Sequence, residues 1–287
     1  PEAKLIAEFL LLQKRIAQID SWILAVQEDN RVHGFVIPNG TITGRMAHRA
    51  PNVAQVPSTS SQYGAECRSC WIVKDGYKLL GVDASGLELR MLAHYMNDEE
   101  YTNEVTNGDI HTANQKAAGL KSRDQAKTFI YAFIYGAGDA KIGSVVGGGK
   151  RLGAELKKRF LDNNPSLKTL RNKVSQAAKR GYLKGLDGRK IFIRNEHAAL
   201  NSLLQGGGAI AMKRALVRLY ALIKLNAIDA KFVANIHDEW QIEVKEEVAE
   251  HVGQLAVTCI EEAGNYYNMR CPLTGEYKIG DSWNETH

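Results

Sequence analysis

Residues 78–95, KLLGVDASGLELRMLAHY, constrain the fold more than any other stretch of this 287-residue sequence. The apolar run 78–82 predicts a short buried strand, and from Leu87 onward apolar residues recur at helical spacing. Ser85 and Gly86 lie where the strand pattern gives way to the helical pattern, and glycine lets the backbone turn there. Asp83 is therefore expected where a strand ends and a helix begins. On this stretch alone Asp83 could cap the helix or serve as a functional carboxylate.

The composition bounds the class of protein without deciding it. With 44% hydrophobic residues the chain can bury a sizeable core, in one large domain or two. The sequence has neither the roughly 18 consecutive apolar residues of a membrane span nor a signal-peptide pattern, so we expect a cytoplasmic protein. The formal net charge of +5 is compatible with nucleic-acid binding and with much else. The four cysteines include one CxxC pair without a nearby zinc-finger histidine, which favours reduced thiols.

Periodicity predicts the remaining elements. The three glycines 206–208 fall inside a long predicted helix, where they should let another backbone or a nucleic acid approach closely. Turn signals at Asn39-Gly40 and Asp187-Gly188 predict hairpins, the first leading into residues 41–43. The predicted helices are 2–27, 98–105, 110–118, 123–135, 150–161, 166–180, 198–225 and 248–263, and the predicted strands include 32–37, 232–236 and 241–244.

The predicted helix 123–135 carries an unusual face. Arg123, Lys127, Tyr131 and Tyr135 recur every four residues, so they share one side of the helix. Two cations followed by two phenols would suit a nucleoside triphosphate, with the cations on the phosphates and the rings against sugar and base. An ordinary amphipathic helix with the tyrosines in the core would explain the same pattern.

A second acidic signal lies near the other end of the chain. His237, Asp238 and Glu239 fall in a tight hairpin between two apolar strands. Carboxylates brought together repel one another unless a cation lies between them, and Mg²⁺ prefers such oxygen ligands. Asp83 together with this hairpin therefore predicts a site for divalent metal ions.

Four segments carry a family resemblance. VDASGLELRMLAH, RDQAKTFIYAFIYGAG and NIHDEWQIEV resemble, in order, the three motifs of the polymerase domain of family A DNA polymerases, and TGRMAHRAPNVAQVPS resembles the family's template-primer segment. The residues of these segments are most similar to those of the replicative polymerases of short-tailed bacteriophages. The resemblance implies an α+β right-hand fold with an antiparallel palm sheet and helical fingers, the thumb being largely missing. The implied divisions are a helix at the base of the thumb (1–30), the first part of the palm (31–110), the fingers (111–181) and the second part of the palm with the C-terminal tail (182–287).

The resemblance also implies an activity. It is template-directed addition of deoxynucleotides to a primer 3′ end by two-metal phosphoryl transfer, with no exonuclease in this chain. Asp83, Asp238 and the carbonyl of Ala84 would hold two Mg²⁺ ions, which Mn²⁺ could replace, and Lys127 would protonate the leaving pyrophosphate. Glu239 would be an acidic neighbour of the metals without binding them directly.

Further roles follow from the same resemblance. Glu88 and Tyr131 would favour deoxynucleotides over ribonucleotides, and Tyr135 would stack at the templating position. The implied nucleotide-binding residues are Ser85, Gly86, Leu87, Glu88, His111, Arg123, Lys127 and Tyr131. The implied DNA-binding residues are Arg45, Tyr135, Asn201, Gln205 and His237.

The sequence is also compatible with three rival functions: a single-subunit RNA polymerase, a two-metal nuclease and a non-catalytic DNA-binding module.

The expected partners are primer-template DNA, deoxynucleoside triphosphates and a separate N-terminal chain carrying thumb and exonuclease. The last of these is expected because the sequence is interpreted as a fragment or a subunit of a phage polymerase. A thioredoxin-like clamp cannot be inferred, because phage relatives dock it on the thumb. The expected location is the cytoplasm of a bacterial host, with no membrane partner.

Overall fold

The computed structural model describes residues 2–287. Its helices are α1 (Glu2–Ile23), α2 (Gly64–Ser69), α3 (Leu87–Met96), α4 (Glu99–Thr106), α5 (Ile110–Ala118), α6 (Arg123–Ile134), α7 (Asp139–Ser144), α8 (Lys150–Asp162), α9 (Pro165–Ala178), α10 (Ala199–Leu225) and α11 (Ala249–Tyr266). Its strands are β1 (Phe35–Ile37), β2 (Ala47–Arg49), β3 (Tyr77–Ala84), β4 (Tyr182–Lys184), β5 (Lys190–Phe192), β6 (Ala230–Ile236), β7 (Glu239–Lys245) and β8 (Gly275–Gly280). The strand and helix predicted on either side of Asp83 are confirmed as β3 and α3.

Some local predictions were wrong. The helix predicted over residues 2–27 ends at Ile23. The first hairpin does not return through residues 41–43, because Gly44 donates its backbone N–H to the carbonyl of Thr41 (3.0 Å) and closes a turn there. The returning strand is β2, which pairs with β1. The helices α2 and α7 were not predicted, since six residues are too few to show a helical period.

The described chain divides into two compact units. The first contains residues 2–84, 215–259 and 274–287, and the second contains residues 85–214 and 260–273. The boundary between Ala84 and Ser85 falls directly after β3.

The first unit is built on a four-stranded antiparallel sheet with the order β6-β7-β3-β8. Val82 and Leu80 of β3 are opposite Trp240 and Ile242 of β7, and all four are fully buried. A cluster of apolar side chains lies around the other face and includes Leu79. Its buried members are Trp22, Val56, Cys67, Leu79, Ile236 and Trp283.

The second unit is mainly helical. Phe129 and Phe133 of α6 pack edge-on against Phe160 of α8, with ring centroids 5.1 and 5.3 Å apart. A Cβ placed on Gly207 of α10 would lie 3.0 Å from the sulfur of Met91, and one on Gly208 would lie 2.9 Å from Leu87. Gly207 and Gly208 therefore let the side chains of α3 approach α10 closely, whereas the prediction was the approach of another backbone or a nucleic acid.

The described residues contain no disulfide at Cys67, Cys70, Cys259 or Cys271. Within residues 2–287, none of the helices is long and apolar enough to cross a membrane.

Candidate active site

Asp83 and Asp238 lie on neighbouring strand ends of the first unit. In the antiparallel register of β3 and β7, Asp83 is directly opposite Glu239. One residue further along, the backbone N–H of Ala84 donates a hydrogen bond to the carbonyl oxygen of Asp238 (3.2 Å). The sheet thus brings together two aspartates that are far apart in the sequence.

The turn that carries Asp238 has an uncommon backbone conformation. It consists of His237 and Asp238, between the last residue of β6 and the first residue of β7. His237 has a φ of 59°, in the left-handed region that residues other than glycine rarely occupy. Two-residue hairpin connections use positive φ because it matches the twist of the flanking strands. Such conformations cluster at functional sites, and this one leaves the His237 side chain exposed.

The carboxylate pair is electrostatically unfavourable without a cation. Burial raises the pKa of Asp83 to about 7, and the negative charges of Asp238 and Glu239 add to this effect, with His287 partly opposing it. Any cation bound beside Asp83 would favour its charged form and lower this pKa. The site is therefore suited to positive charge.

Glu239 is held by protein donors. The indole N–H of Trp283 donates to Oε1 (2.5 Å), as does the Gln241 amide (2.7 Å), while Nδ1 of His287 lies 2.9 Å from Oε2. Burial alone would raise the pKa of Glu239, but these hydrogen bonds, led by that with His287, lower it overall. Glu239 therefore stays ionised with both of its oxygens engaged by protein donors.

The contacts of the C-terminal segment with Glu239 were not predicted. Besides the contacts from Trp283 and His287, the Thr286 hydroxyl donates to Oε1 of Gln241 (2.8 Å). A Cβ on Gly81 of β3 would lie only 2.2 Å from the carbonyl oxygen of Thr286, so this position needs glycine. The available signal was Glu239 itself, because a carboxylate at the start of a buried strand requires partners.

The α6 face predicted for nucleotide binding lies opposite the core. The buried residues of this helix are Ala126, Phe129, Ile130, Phe133 and Ile134. Arg123 and Lys127 are exposed, Tyr131 is half-buried, and Tyr135 is 46% exposed. The alternative interpretation, with the tyrosines as core, is therefore wrong for Tyr135. Ser122 caps the helix, its hydroxyl accepting from the N–H of Gln125 (3.2 Å).

Several predicted residues come together around these tyrosines. The Tyr135 hydroxyl donates to Oε1 of Glu88 (3.4 Å). The ring of Tyr131 lies 6.2 Å from that of Tyr135 and 6.3 Å from that of His111. Glu88 and Tyr131, which are expected to select the sugar, therefore both lie beside Tyr135, which is expected at the templating position.

Arg123 has an intramolecular partner. Its Nε donates to Asp109 Oδ2 (2.7 Å), and this hydrogen bond holds the pKa of Asp109 well below its usual range. Asp109 also caps α5, where its Oδ1 accepts from the backbone N–H of His111 (3.1 Å). Burial lowers the pKa of His111, and the positive charge of Arg123 lowers it further, so the imidazole is neutral at pH 7.

The other predicted site residues are placed as follows. Gly86, with φ of 60°, precedes α3, and the carbonyl of Ser85 accepts from Nε of Arg90 (2.8 Å). Leu87 is buried. The expected DNA contacts Arg45 and His237 belong to the first unit, and Tyr135, Asn201 and Gln205 belong to the second.

The family described as DNA polymerase family A matches residues 1–285, which is nearly the whole chain. The chain belongs to the family A DNA polymerases. This family A chain is 43% identical over 320 aligned residues to a DNA-directed DNA polymerase of Enterobacteria phage T3, and 42% identical to one of Escherichia phage T7. Each alignment covers 99% of this chain and 46% of the relative, so the chain spans about half the length of these curated relatives. The predicted family and its similarity to phage polymerases are confirmed.

The fold is similar to that of a solved polymerase. The POL domain of Pol1 from M. smegmatis, in a structure described as a complex with DNA primer-template and dNTP, matches with a TM-score of 0.85 at 24% identity. The match covers 94% of this chain and 51% of the other. The family A polymerase fold, with helices and an antiparallel sheet, is thereby confirmed.

The donor atoms at Asp83 and Asp238 fit a hard cation. Among residues 2–287, no cluster of three or more His, Cys, Asp and Glu side chains is arranged to hold a metal. Mg²⁺ does not need such a cluster, because it commonly binds one or two carboxylates and completes its shell with water and substrate phosphates. Two carboxylates in an unfavourable electrostatic setting therefore suit Mg²⁺.

Proposed function

We propose that this chain carries template-directed DNA polymerase activity, adding deoxynucleotides to a primer 3′ end. The observation that carries the proposal is the pairing of β3 and β7, which places Asp83 beside the turn of Asp238. Membership of family A and the similarity to phage proteins named DNA-directed DNA polymerase support the same reaction. The proposal covers nucleotide addition alone, and the separate N-terminal chain and the predicted domain bounds stay predictions.

Asp83, Asp238 and the carbonyl of Ala84 would hold two Mg²⁺ ions, or Mn²⁺ in their place. When bound, such ions lower the pKa of an attacking hydroxyl and neutralise charge on the transferred phosphoryl group and the pyrophosphate. The protein's contribution is to hold the carboxylates in place. Glu239 assists because its bonds to Trp283 and His287 fasten the start of β7 directly after Asp238.

The exposed cations of α6 would bind the triphosphate. Lys127 would contact the phosphates and give a proton to the leaving pyrophosphate. Arg123 would exchange its bond with Asp109 for one with a phosphate, which replaces one charge-assisted hydrogen bond by another. Neutral His111 would donate a single hydrogen bond to a phosphate oxygen. The turn of Ser85, Gly86 and Leu87 would line the same nucleotide.

Sugar selection would rest on Glu88 and Tyr131. The hydrogen bond between Tyr135 and Glu88 fixes the Glu88 carboxylate, so that its bulk can exclude a ribose 2′-hydroxyl. Tyr131 would pack against the sugar, and Tyr135 would stack at the templating position. A hydroxyl that is buried without a hydrogen-bond partner costs about 1–3 kcal/mol, so a site with no partner for the 2′-hydroxyl disfavours ribonucleotides.

The primer-template would be contacted by Arg45, Asn201, Gln205 and His237. Side chains that reach into the minor groove meet acceptors that correct pairs share, so they check geometry and do not read sequence. The solved Pol1 domain, described as bound to primer-template and dNTP, supports this class of partner.

Primer extension tests the proposal. A labelled primer on a longer DNA template, with Mg²⁺ and deoxynucleotides, should be extended to the template end, whereas ribonucleotides should add poorly and EDTA should stop the reaction. Equal use of ribonucleotides would indicate an RNA polymerase, and primer shortening without nucleotides would indicate a nuclease. DNA binding without extension would indicate a non-catalytic module.

A further inference from the structure

Residues 150–194 of the second unit are strongly basic. This segment contains fourteen Lys and Arg residues and three Asp and Glu residues, whereas the whole chain has 37 and 32. Each of the three acidic side chains is paired with a cation of the same segment. The pairs are Glu155 with Arg151 (3.8 Å), Asp162 with Lys168 (2.8 Å) and Asp187 with Arg189 (2.8 Å). The remaining cations give the segment a large positive charge that attracts polyanions.

The hairpin of β4 and β5 presents part of this charge in an ordered pattern. Tyr182 is opposite Phe192, and Lys184 is opposite Lys190, so these four side chains share one face. Leu183 and Ile191 on the other face are buried. We call the side with Tyr182, Lys184, Lys190 and Phe192 the hairpin face.

The hairpin face is unfavourable as a purely structural surface. Two lysines directly opposite each other on neighbouring strands repel, which destabilises a hairpin. Phe192 is 64% exposed, so its ring contributes little to the core. Within residues 2–287, neither Lys184 nor Lys190 forms an ion pair with an acidic side chain. A ligand that supplies negative charges would stabilise the two lysines, and a ligand with flat apolar groups would cover the exposed ring of Phe192.

The arrangement of cations around the rings identifies the kind of ligand. The Lys190 ammonium lies 4.7 Å from the centre of the Tyr182 ring, and the Arg180 guanidinium lies 5.9 Å from it. Single-stranded nucleic acids bind to surfaces that combine aromatic rings for the bases with cations for the backbone. An acidic peptide would use the cations but would leave the exposed ring of Phe192 without a partner.

We propose that the hairpin face binds single-stranded DNA. A base would stack on Phe192, with Tyr182 beside it, while Lys184, Lys190 and Arg180 contact phosphates. This inference goes beyond nucleotide addition and depends on the proposed function only for the source of the ligand, which would be the unpaired part of a template. Duplex DNA is a poorer fit, because its bases are stacked inside the helix.

Binding of a fluorescent oligothymidylate to the whole chain, followed over a range of salt concentrations, tests the proposal. Phe192→Ala should weaken binding by roughly tenfold, the loss expected for one stacked base, without changing the salt dependence. Lys184→Gln with Lys190→Gln should instead reduce the slope of log K against log salt by about 1.4, since each phosphate contact to a single strand contributes roughly 0.7. The two variants thus separate stacking from charge.

A matched control is available on α10. Tyr220 is 53% exposed, with the Lys224 ammonium 5.5 Å from its ring, so Tyr220→Ala with Lys224→Gln removes one exposed aromatic ring and one lysine elsewhere on the chain. This control should bind the oligonucleotide as the wild type does. Thermal unfolding followed by circular dichroism checks that all variants fold.

Two outcomes would overturn the inference. Unchanged oligonucleotide affinity in Phe192→Ala would show that no base stacks on this ring. If, in addition, the wild type bound polyglutamate and the double lysine variant did not, the surface would be assigned to an acidic protein. An equal loss in the α10 control would show that the binding is not specific to the hairpin.

Primer extension on a template with a minimal overhang should be retained in the hairpin variants, so that failure of this inference is distinguishable from failure of the polymerase assignment.

Discussion

Ala84 and Asp238 are joined by a backbone hydrogen bond, from the N–H of Ala84 to the carbonyl oxygen of Asp238 (3.2 Å). The bond continues the pairing of β3 with β7 by one residue beyond the last ladder pair, Asp83 with Glu239. It fixes the turn of Asp238 against the strand end that carries Asp83. The two aspartates are therefore carried by one edge of the sheet in the first unit.

Asp238→Asn should reduce nucleotide incorporation by roughly a thousandfold or more, because each metal contributes several kcal/mol of charge stabilisation. Steady-state primer extension measures this loss, and a filter-binding assay should show nearly unchanged affinity for primer-template. Glu276→Gln is the matched control, since exposed Glu276 is opposite Asp83 on the β8 side. It should cost less than about fivefold in rate. Comparable losses in both variants would argue for a general charge effect.

Trp283→Phe should lower the free energy of unfolding by about 1–3 kcal/mol beyond its packing loss, because it removes a donor from the buried Glu239 carboxylate. Trp71→Phe provides the comparison: its ring packs 6.4 Å from that of Trp283, and its indole N–H has no hydrogen-bond partner among the described residues. Urea unfolding of the two variants separates the hydrogen bond from ring size. Equal destabilisation would show that the bond to Glu239 contributes little.

Glu88→Ala should reduce discrimination against ribonucleotides by roughly tenfold or more, since it opens the space that the carboxylate fills. The ratio of kcat/KM for a deoxynucleotide and the matching ribonucleotide gives the effect directly. Glu99→Ala, an exposed glutamate at the start of α4, should leave this ratio unchanged. If Glu88→Ala retained full discrimination, sugar selection would have to be assigned elsewhere.

Lys127→Ala should raise KM for the nucleotide by about 10- to 100-fold, the range for losing one hydrogen bond to a charged group. Binding of primer-template without nucleotide should change little. Lys116→Ala removes an exposed lysine from neighbouring α5 and serves as the charge-matched control. Normal nucleotide kinetics combined with weak DNA binding in Lys127→Ala would move this residue to the template.

Local sequence features predicted much of this molecule. The change from an apolar run to helical spacing located Asp83, and the i+4 pattern of α6 identified a face that the structure leaves outside the core. The two apolar runs on either side of His237, Asp238 and Glu239 predicted the tight hairpin. These predictions succeed because each depends on a period or a turn within a few residues.

Long-range relationships could not be obtained in this way. The register that sets Ala84 against Asp238 depends on pairing between distant strands, and a shift by one residue would turn Asp83 to the other face of the sheet. The contacts of Trp283 and His287 with Glu239 require the folded C-terminal segment. The bond between Arg123 and Asp109 likewise joins the ends of two helices whose packing no local pattern specifies.

The raised pKa of Asp83 predicts how the metal-free protein responds to pH. Burial and the charge of Asp238 raise this pKa to about 7 from an ordinary value of 3.8. Between these values the folded state binds more protons than the unfolded state, so the contribution of Asp83 to stability is full below pH 3.8 and is lost as the pH rises to about 7. Asp83→Asn should therefore unfold several degrees above the wild type at pH 8 in EDTA, and at the same temperature near pH 3.5.

The melting temperature at pH 8, with EDTA or with saturating Mg²⁺, is the most direct test of the proposed metal site. A cation held by Asp83 and Asp238 binds only the folded state, so Mg²⁺ should raise the melting temperature of the wild type by several degrees. The same addition should leave Asp83→Asn almost unchanged. An increase in the variant as large as that in the wild type would contradict the assignment of Asp83 as a metal ligand.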